Sequence, residues 1–304
     1  MKKLNFAAAI AALLLSSLTV SAQIRQYDYD MSDFSSIEIG GNFEVTIQEG
    51  KDSHVTLTVD ENIRAYIECE KKGNKLVIGN SEKSLPSEIK KLVKNGAATF
   101  ECKAVVTVRK PLKSIVLTDK AVASCSVPLD AESVKISVSD NANLKSVTVQ
   151  CKNFDLKADK KGTAAIIVDA EISNLNMAGN SAVTFTQKGA EVDATVASLA
   201  NLSMYCEADV VTLNAKGTSK VLANGKSTKV NYNVSGASNV NALDLECDEA
   251  VIKMNSVCTL TESAKEKISI DLSGGATLVF NNNPVITLEQ IKASNVRKYS
   301  EDKR

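Results

Sequence analysis

The 304-residue sequence has no tryptophan, a single histidine, four prolines and only 4% aromatic residues. Each scarcity excludes something. One histidine cannot assemble a multi-histidine metal site. His54 also falls in the alternating run His54-Val-Thr-Leu-Thr-Val59, which predicts the outer side of a strand. The few aromatics leave few stacking platforms for sugar rings. Neither charge sign is in excess, with 36 basic against 36 acidic residues. The electrostatic footprint of a nucleic-acid binder is therefore missing, and no nucleic-acid partner is expected. No Cys-x-x-Cys pair occurs among the seven cysteines, so a zinc cluster is not expected.

What is present starts at the N-terminus. Lys2 and Lys3 precede an apolar stretch from Leu4 to Leu15, and Val20-Ser21-Ala22 supplies small residues. This is the pattern of a cleavable signal peptide over residues 1–22, cut before Gln23. The apolar run is too short to span a bilayer, and no transmembrane segment is expected in the mature chain. The residue after the cut is not cysteine, which disfavours a lipid anchor. Without residues 1–22 the chain keeps 34 basic and 36 acidic residues. An exported protein with seven cysteines leaves at least one unpaired. Cys69 and Cys102 lie outside the repeats, and their pairing stays open. The other five occupy repeat positions filled elsewhere by Ala, Ser or Val, as small buried fillers do.

The organising feature is a repeat of about 19 residues. A small residue recurs at Ala142, Gly162, Ser181, Ala200, Ser219, Ser238, Cys258 and Ala276, at spacings of 20, 19, 19, 19, 19, 20 and 18. Six before these anchors stand Ile136, Leu156, Leu175, Ala194, Leu213, Tyr232, Ile252 and Ile270. Four before stand Val138, Ala158, Met177, Val196, Ala215, Val234, Met254 and Leu272. Two after stand Leu144, Ala164, Val183, Leu202, Val221, Val240, Leu260 and Leu278. All three columns are apolar. Residues two apart share one face of a strand. Two before the anchors, Gly179, Gly217, Gly236 and Gly274 mark a turn with positive φ, for which Asp and Ser are partial substitutes. Each coil thus reads as strand, tight turn, strand, then a less regular third side such as Ser146–Val149. Stacked coils would pair in parallel and form interior ladders. The fold class is all-β, a parallel β-helix or β-solenoid of about 19-residue coils.

The regular coils begin near residue 134. Before them, residues 34–133 predict an irregular β-rich section that caps the stack. Phe34 to Gly50 reads as two alternating strands around Gly40-Gly41. His54–Val59, Ile63–Glu70, Lys75–Ile78 and Thr99–Val108 read as further strands, with a hairpin turn at Gly73-Asn74. Ser84 to Gly96 is the one helical signal, with Pro86 in its first turn. Residues 23–33 read as a linker, 34–286 as the solenoid head, and 287–304 as a locally basic, solvated tail.

These motifs resemble the auto-transporter adhesin "head" (GIN) domain family of exported bacterial proteins, common in Bacteroidetes. The likeness rests on Phe34, Ile37, Ile39, Gly41, Phe43, Val45, Ile47, Gln48 and Gly50 at the opening. It continues in Val234-Ser-Gly-Ala-Ser238 and ends in Leu272-Ser-Gly-Gly-Ala-Thr-Leu-Val-Phe-Asn-Asn-Asn-Pro284. Lys160, Ser198 and Ser256 depart from its turn glycine. The resemblance implies a β-solenoid and an adhesive or surface-structural role, and it supplies no catalytic, cofactor or metal residues.

Two function classes follow. The first is an exported, non-enzymatic cell-envelope protein, in the periplasm or at the surface of a Gram-negative cell. Its outer face would contact a glycan, an envelope protein or another copy of itself. The second is a carbohydrate-active β-helix enzyme. Coils of even length leave no long loops to wall a cleft, and Asp140, Asp155, Asp159 and Asp169 form no column. A periplasmic assembly or stress factor is a third reading. Asn141, Asn143, Asn201 and Asn239 near the turns are expected to cap backbone groups or to stack as amide ladders. No calcium site is expected, because the repeat is twice the length of the calcium-binding roll.

Overall fold

The computed structural model describes residues 23–80, 85–95 and 100–300. The expected signal peptide and Gly96 lie outside the described residues. The chain forms a β-solenoid of about ten turns spaced about 19 residues apart, with an irregular N-terminal section. Each coil has an inbound arm before the tight turn and an outbound arm after it. In one coil the inbound arm ends at Ala215, the turn spans 216–219, and the outbound arm starts at Lys220. The outbound arm then bends without a break into the next inbound arm, so one strand of 15 residues, Asn201–Ala215, serves both.

Alternation explains why these segments are strands and why they bend where they do. In Asn201–Ala215, Leu202, Met204, Cys206 and Ala208 point inward, then Val211, Leu213 and Ala215. Asp209 and Val210 break the period of two and turn the corner. The irregular third side expected at Ser146–Val149 is instead part of the strand Asn143–Ala158, its irregularity confined to the register shift between Leu144 and Val147.

All twenty-four positions of the three apolar columns are buried. The register stacks like on like. One inbound column runs Leu76, Ile37, Ile115, Ile136, Leu156, Leu175, Ala194, Leu213, Tyr232, Ile252, Ile270 and Leu288. Rungs rise by about 4.8 Å. Each buried branched side chain contributes roughly 1.5–3 kcal/mol relative to exposure, so these ladders are the main source of stability. Coils of 20 residues carry their extra residue as a bulge, for example between Leu144 and Val147.

The tight turn repeats even where glycine is missing. Gly41, Asp119, Asp140, Lys160, Gly179, Ser198, Gly217, Gly236, Ser256, Gly274 and Ala293 all have positive φ, between 49° and 77°. Stacking holds them there. The next residue's N–H donates to the carbonyl of the turn residue one rung below: Leu199 to Gly179 at 2.8 Å, Thr218 to Ser198 at 2.7 Å and Ala237 to Gly217 at 2.6 Å. In five of the turns a second backbone bond closes the loop, as from Ala200 N–H to Ala197 C=O at 3.2 Å.

The N-terminal section is folded back into the stack. Strands Ser36–Ile39 and Glu44–Glu49 form one rung, and Lys75–Asn80 with Cys102–Val108 forms the rung beneath it, in parallel. Two antiparallel additions finish that end. Ile67–Lys72 pairs with Lys75–Asn80. His54–Asp60 pairs with Cys102–Val108 on one side and with Ile24–Asp30 on the other. The segment expected as a linker is thus an edge strand. Its Tyr27 and Tyr29 rings receive the Arg64 guanidinium at 5.0 and 5.7 Å from their centroids. The strand expected over Ile63–Glu70 begins only at Ile67, because Glu61–Tyr66 is a 3-10 helix. Asp60 caps that helix, accepting from Asn62 N–H at 2.9 Å, and Ile63 is tucked into the core. The helix is Ser87–Lys94, directly after Pro86.

At the other end the described part of the basic tail, expected to be frayed, is paired strand over residues 287–292 and 295–298. Val285–Lys292 pairs with Thr259–Ser273, and Asn295–Lys298 pairs with Thr277–Phe280, forming a further rung. Ile286, Leu288, Ile291 and Val296 continue the interior ladders of Ile268, Ile270, Leu272 and Leu278. That pattern overrides the local excess of lysine and arginine.

Two substitutions test the turn column. Ser198→Gly should raise the urea midpoint, stabilising by about 1 kcal/mol, because it relieves an L-residue at positive φ. Gly236→Ala should lower it, since a Cβ there would lie 2.5 Å from Gly217 O as well as at φ 75°. Equal midpoints for the two variants would refute the turn geometry.

Candidate functional site

The outward sides of the two arms differ in what their polar groups do. On the inbound arm asparagine amides donate to side chains of the preceding coil. Asn174 donates to Asp155 at 3.3 Å, Asn214 to Asp193 at 3.0 Å, Asn231 to Thr212 at 3.3 Å and Asn233 to Asn214 at 2.9 Å. Only the Asn233–Asn214 step is amide to amide, and the asparagines expected to stack from the sequence form no ladder among the described residues. Asn143, Asn201 and Asn239 are separated in their column by Thr163, Ala182 and Lys220. Asn201 caps the Leu199 carbonyl at 3.0 Å.

The outbound arm presents a different surface. One outward column reads Asn143, Thr163, Ala182, Asn201, Lys220 and Asn239. Beside it run Ala165, Thr184, Ser203, Leu222 and Asn241, and then Thr148, Ile167, Thr186, Tyr205 and Asn224. Ile167, Tyr205 and Leu222 are exposed. A shallow hollow of about 680 Å³ crosses six rungs between Asn143 and Asn239. A second, of about 350 Å³, lies between Ile167 and Tyr205 and is bordered by Thr148 and Thr186.

The far edge of this arm is a charge ladder. Asp169, Lys188, Glu207, Lys226 and Glu246 stack in that order, and Lys265 Nζ closes on Glu246 at 2.7 Å. Lys265 holds the Glu246 carboxyl below the usual range through this bond. Tyr205 donates to Glu207 at 3.0 Å, and that hydrogen bond pushes its phenol up. Alternation keeps like charges from stacking one rung apart, and the net field along the wall is small. The acids Asp140, Asp155 and Asp169 fall on a turn, the inbound arm and the outbound arm respectively. His54 sits on the outer side of its strand, as expected, with Nε2 3.4 Å from the Thr107 hydroxyl.

Several polar groups lie inside. Glu262 interrupts an apolar column and is wholly buried. One carboxyl oxygen accepts from Ala264 N–H at 2.8 Å, and the other has no partner among the described residues. Burial raises its pKa to about 7. The Tyr232 hydroxyl is also buried without a partner, and desolvation raises it well above its ordinary value. Sequence periodicity had flagged Tyr232 only as an apolar rung, and Glu262 not at all. All seven cysteines are free, including Cys69 and Cys102. Burial pushes Cys102, Cys206 and Cys247 up to about 12 and Cys69 to about 11, which makes them poor nucleophiles. Among the described residues, no three His, Cys, Asp or Glu side chains are grouped to hold a metal ion.

The fold and its walls define a parallel β-solenoid whose outbound arm is an open, polar, elongated face. The chain belongs to the family described as "putative auto-transporter adhesin, head GIN domain", whose model matches residues 33–184 and 163–284. No curated protein matches the sequence. Among solved structures it is similar to a "putative adhesin" from Parabacteroides distasonis, at 14% identity and a TM-score of 0.49. It is also similar to a "putative adhesin" from Parabacteroides merdae, at 15% and 0.46, and to a "putative lipid binding protein" from Parabacteroides distasonis, at 14% and 0.46. Each match covers 92% of this chain and 98% of the other.

The buried carboxyl makes a pH test possible. Glu262 titrates near 7 when folded, against 4.5 in the open chain. Its neutral form is accommodated below pH 4.5, and stability is lost as pH rises through 7, by on the order of 3 kcal/mol. Urea midpoints of the native protein should therefore fall between pH 5 and pH 8 relative to those of Glu262→Gln. Parallel pH profiles would show the carboxyl to be solvated.

Proposed function

We propose that this chain is an exported, non-enzymatic adhesin-like surface protein whose outbound arm binds an extended surface glycan. The observation that carries the reading is the contrast between the two arms. Inbound amides are engaged with side chains of the preceding coil, whereas the outbound wall offers hydroxyls and amides in rows beside Ile167, Tyr205 and Leu222. Rows repeating every 4.8 Å or so over six rungs give a polymer many weak, equivalent contacts. The alternating charge ladder suits an uncharged or weakly charged chain better than a polyanion. Membership of the adhesin head family supports the role, and the N-terminal signal-peptide pattern supports export.

Enzyme chemistry finds little support in the geometry. A glycoside hydrolase places a proton-donating acid beside the scissile bond. Here the raised carboxyl of Glu262 is sealed in the interior, while Glu246 on the open wall is held ionised by Lys265.

A glycan array followed by titration of the best ligand tests the reading. The double variant Tyr205→Ala, Leu222→Thr should weaken binding at least about tenfold, and Thr195→Ala on the inbound arm should leave it unchanged. Intact cells should lose the protein to external protease. The proposal fails if no glycan is retained, or if the double variant binds as the native protein does.

A further inference from the structure

We infer that, with the outbound wall as the glycan site proposed above, the chain it binds is a flat two-fold ribbon of equatorially 1,4-linked, uncharged sugars. The ribbon lies parallel to the solenoid axis. The two columns of the wall farthest from the turn alternate in character from rung to rung. One reads Thr148, Ile167, Thr186, Tyr205 and Asn224, with an apolar residue on every second rung. The other reads Gln150, Asp169, Lys188, Glu207 and Lys226, with a carboxylate on every second rung.

The two alternations are in phase. Ile167 shares its rung with Asp169, and Tyr205 shares its rung with Glu207. Glu171 and Asp209, the next outward residues on those strands, are exposed and add a second acid to the same rungs. Lys188 and Lys226 stand on the other rungs, beside Thr186 and Asn224, and are followed there by Ala190 and Thr228. Lys152 follows Gln150 on the first of these rungs, and Glu246 with Asp248 carries the acidic series one rung past Lys226. Both columns line a single hollow of about 350 Å³ that crosses four rungs from Thr148 to Tyr205. The columns nearer the turn, with Ala165, Ser203 and Leu222, lack this alternation and line the other hollow.

Two rungs rise by about 9.6 Å. A 1,4-linked chain with equatorial bonds at both ends runs straight, each sugar turned half a revolution from the last. It shows the same face only at every second sugar, and that disaccharide repeat is close to two rungs in length. Alternate sugars can then set an apolar C–H face on Ile167 and Tyr205 while their hydroxyls donate to the carboxylates alongside. The sugars between meet Lys188 and Lys226, whose ammonium groups donate to hydroxyl and ring oxygens. An axially 1,4-linked chain coils and loses this register after one or two sugars. A chain charged throughout with one sign would meet its own sign on every second rung.

Isothermal titration calorimetry of the purified full chain tests this with β-1,4-linked oligomers of glucose, mannose and N-acetylglucosamine, two to eight units long. Affinity should rise with each added disaccharide up to about six units and then level off, because contacts add along one chain. Six-unit α-1,4-linked glucose oligomers should bind at least about tenfold more weakly than the best β-1,4 oligomer of that length. The exchange variant Ile167→Thr, Thr186→Ile keeps the composition of the wall but sets its apolar residues one rung apart instead of two. It should lose at least about tenfold in affinity for the same six-unit oligomer, with unchanged far-ultraviolet circular dichroism. Equal affinity for the two linkages, no gain beyond two sugars, or a folded exchange variant that binds as the native protein does overturns the inference and leaves the glycan reading standing. Failure of every oligomer to bind overturns it as well, and an empty glycan array alongside would overturn both.

Discussion

Everything in this molecule depends on parallel, in-register stacking, which puts each residue about 4.8 Å above its counterpart one coil earlier. Inside, the rule is easily met: Leu, Ile, Val and Ala pile into ladders that run the length of the stack. Outside, the same rule forbids long runs of like charge. The sequence meets it in two ways. Asp169, Lys188, Glu207, Lys226 and Glu246 alternate along one edge. Elsewhere asparagine amides donate to the coil before, as Asn233 does to Asn214 and Asn214 to the Asp193 carboxylate. Exposed ion pairs contribute little each, typically under 1 kcal/mol, so the alternation matters mainly because repulsion is avoided.

The constraint also explains which parts of the fold were legible beforehand. Two periods coincide in the regular coils, two within a strand and about 19 between strands, so Ile136, Val138 and Leu144 could be placed from spacing alone. The N-terminal section obeys only the first period. Its rung formed by Lys75–Asn80 and Cys102–Val108 lies beneath an earlier segment, a long-range pairing that no local pattern announces. Ile63–Glu70 alternates well enough to suggest a strand, yet its first four residues belong to the 3-10 helix Glu61–Tyr66 capped by Asp60. The C-terminal rung was masked by its lysines and arginines, although Ile286, Leu288 and Ile291 carry the register. The contact wall was legible as outward columns, but its contrast with the inbound arm was not. Which amides bond which depends on side-chain positions that spacing does not specify.

The polar residues of the interior show what the ladders tolerate. Tyr232 and Glu262 replace aliphatic rungs and keep buried oxygen atoms without partners. Single substitutions of this kind survive because the neighbouring rungs supply enough apolar burial to offset them. The asymmetry of the two ends has a different origin. A solenoid must stop somewhere, and its last rung exposes both an apolar face and an open edge. The N-terminal end is finished with charged antiparallel strands, whereas Leu288 and Ile291 stay exposed on the last described rung of the C-terminal end.

Interresidue distances along the outbound wall test the stack most directly, because the wall's rows derive from it. Spin labels on cysteines introduced at Ala165, Asn241 and Thr261 would sit in one column, four and five rungs from the first. The raised, mostly buried native thiols should stay unlabelled. Double electron–electron resonance should give about 19 Å for the Ala165–Asn241 pair and about 24 Å for the Ala165–Thr261 pair, scaling with rung number. Equal distances for the two pairs, or values that do not grow with rung number, would contradict the in-register solenoid.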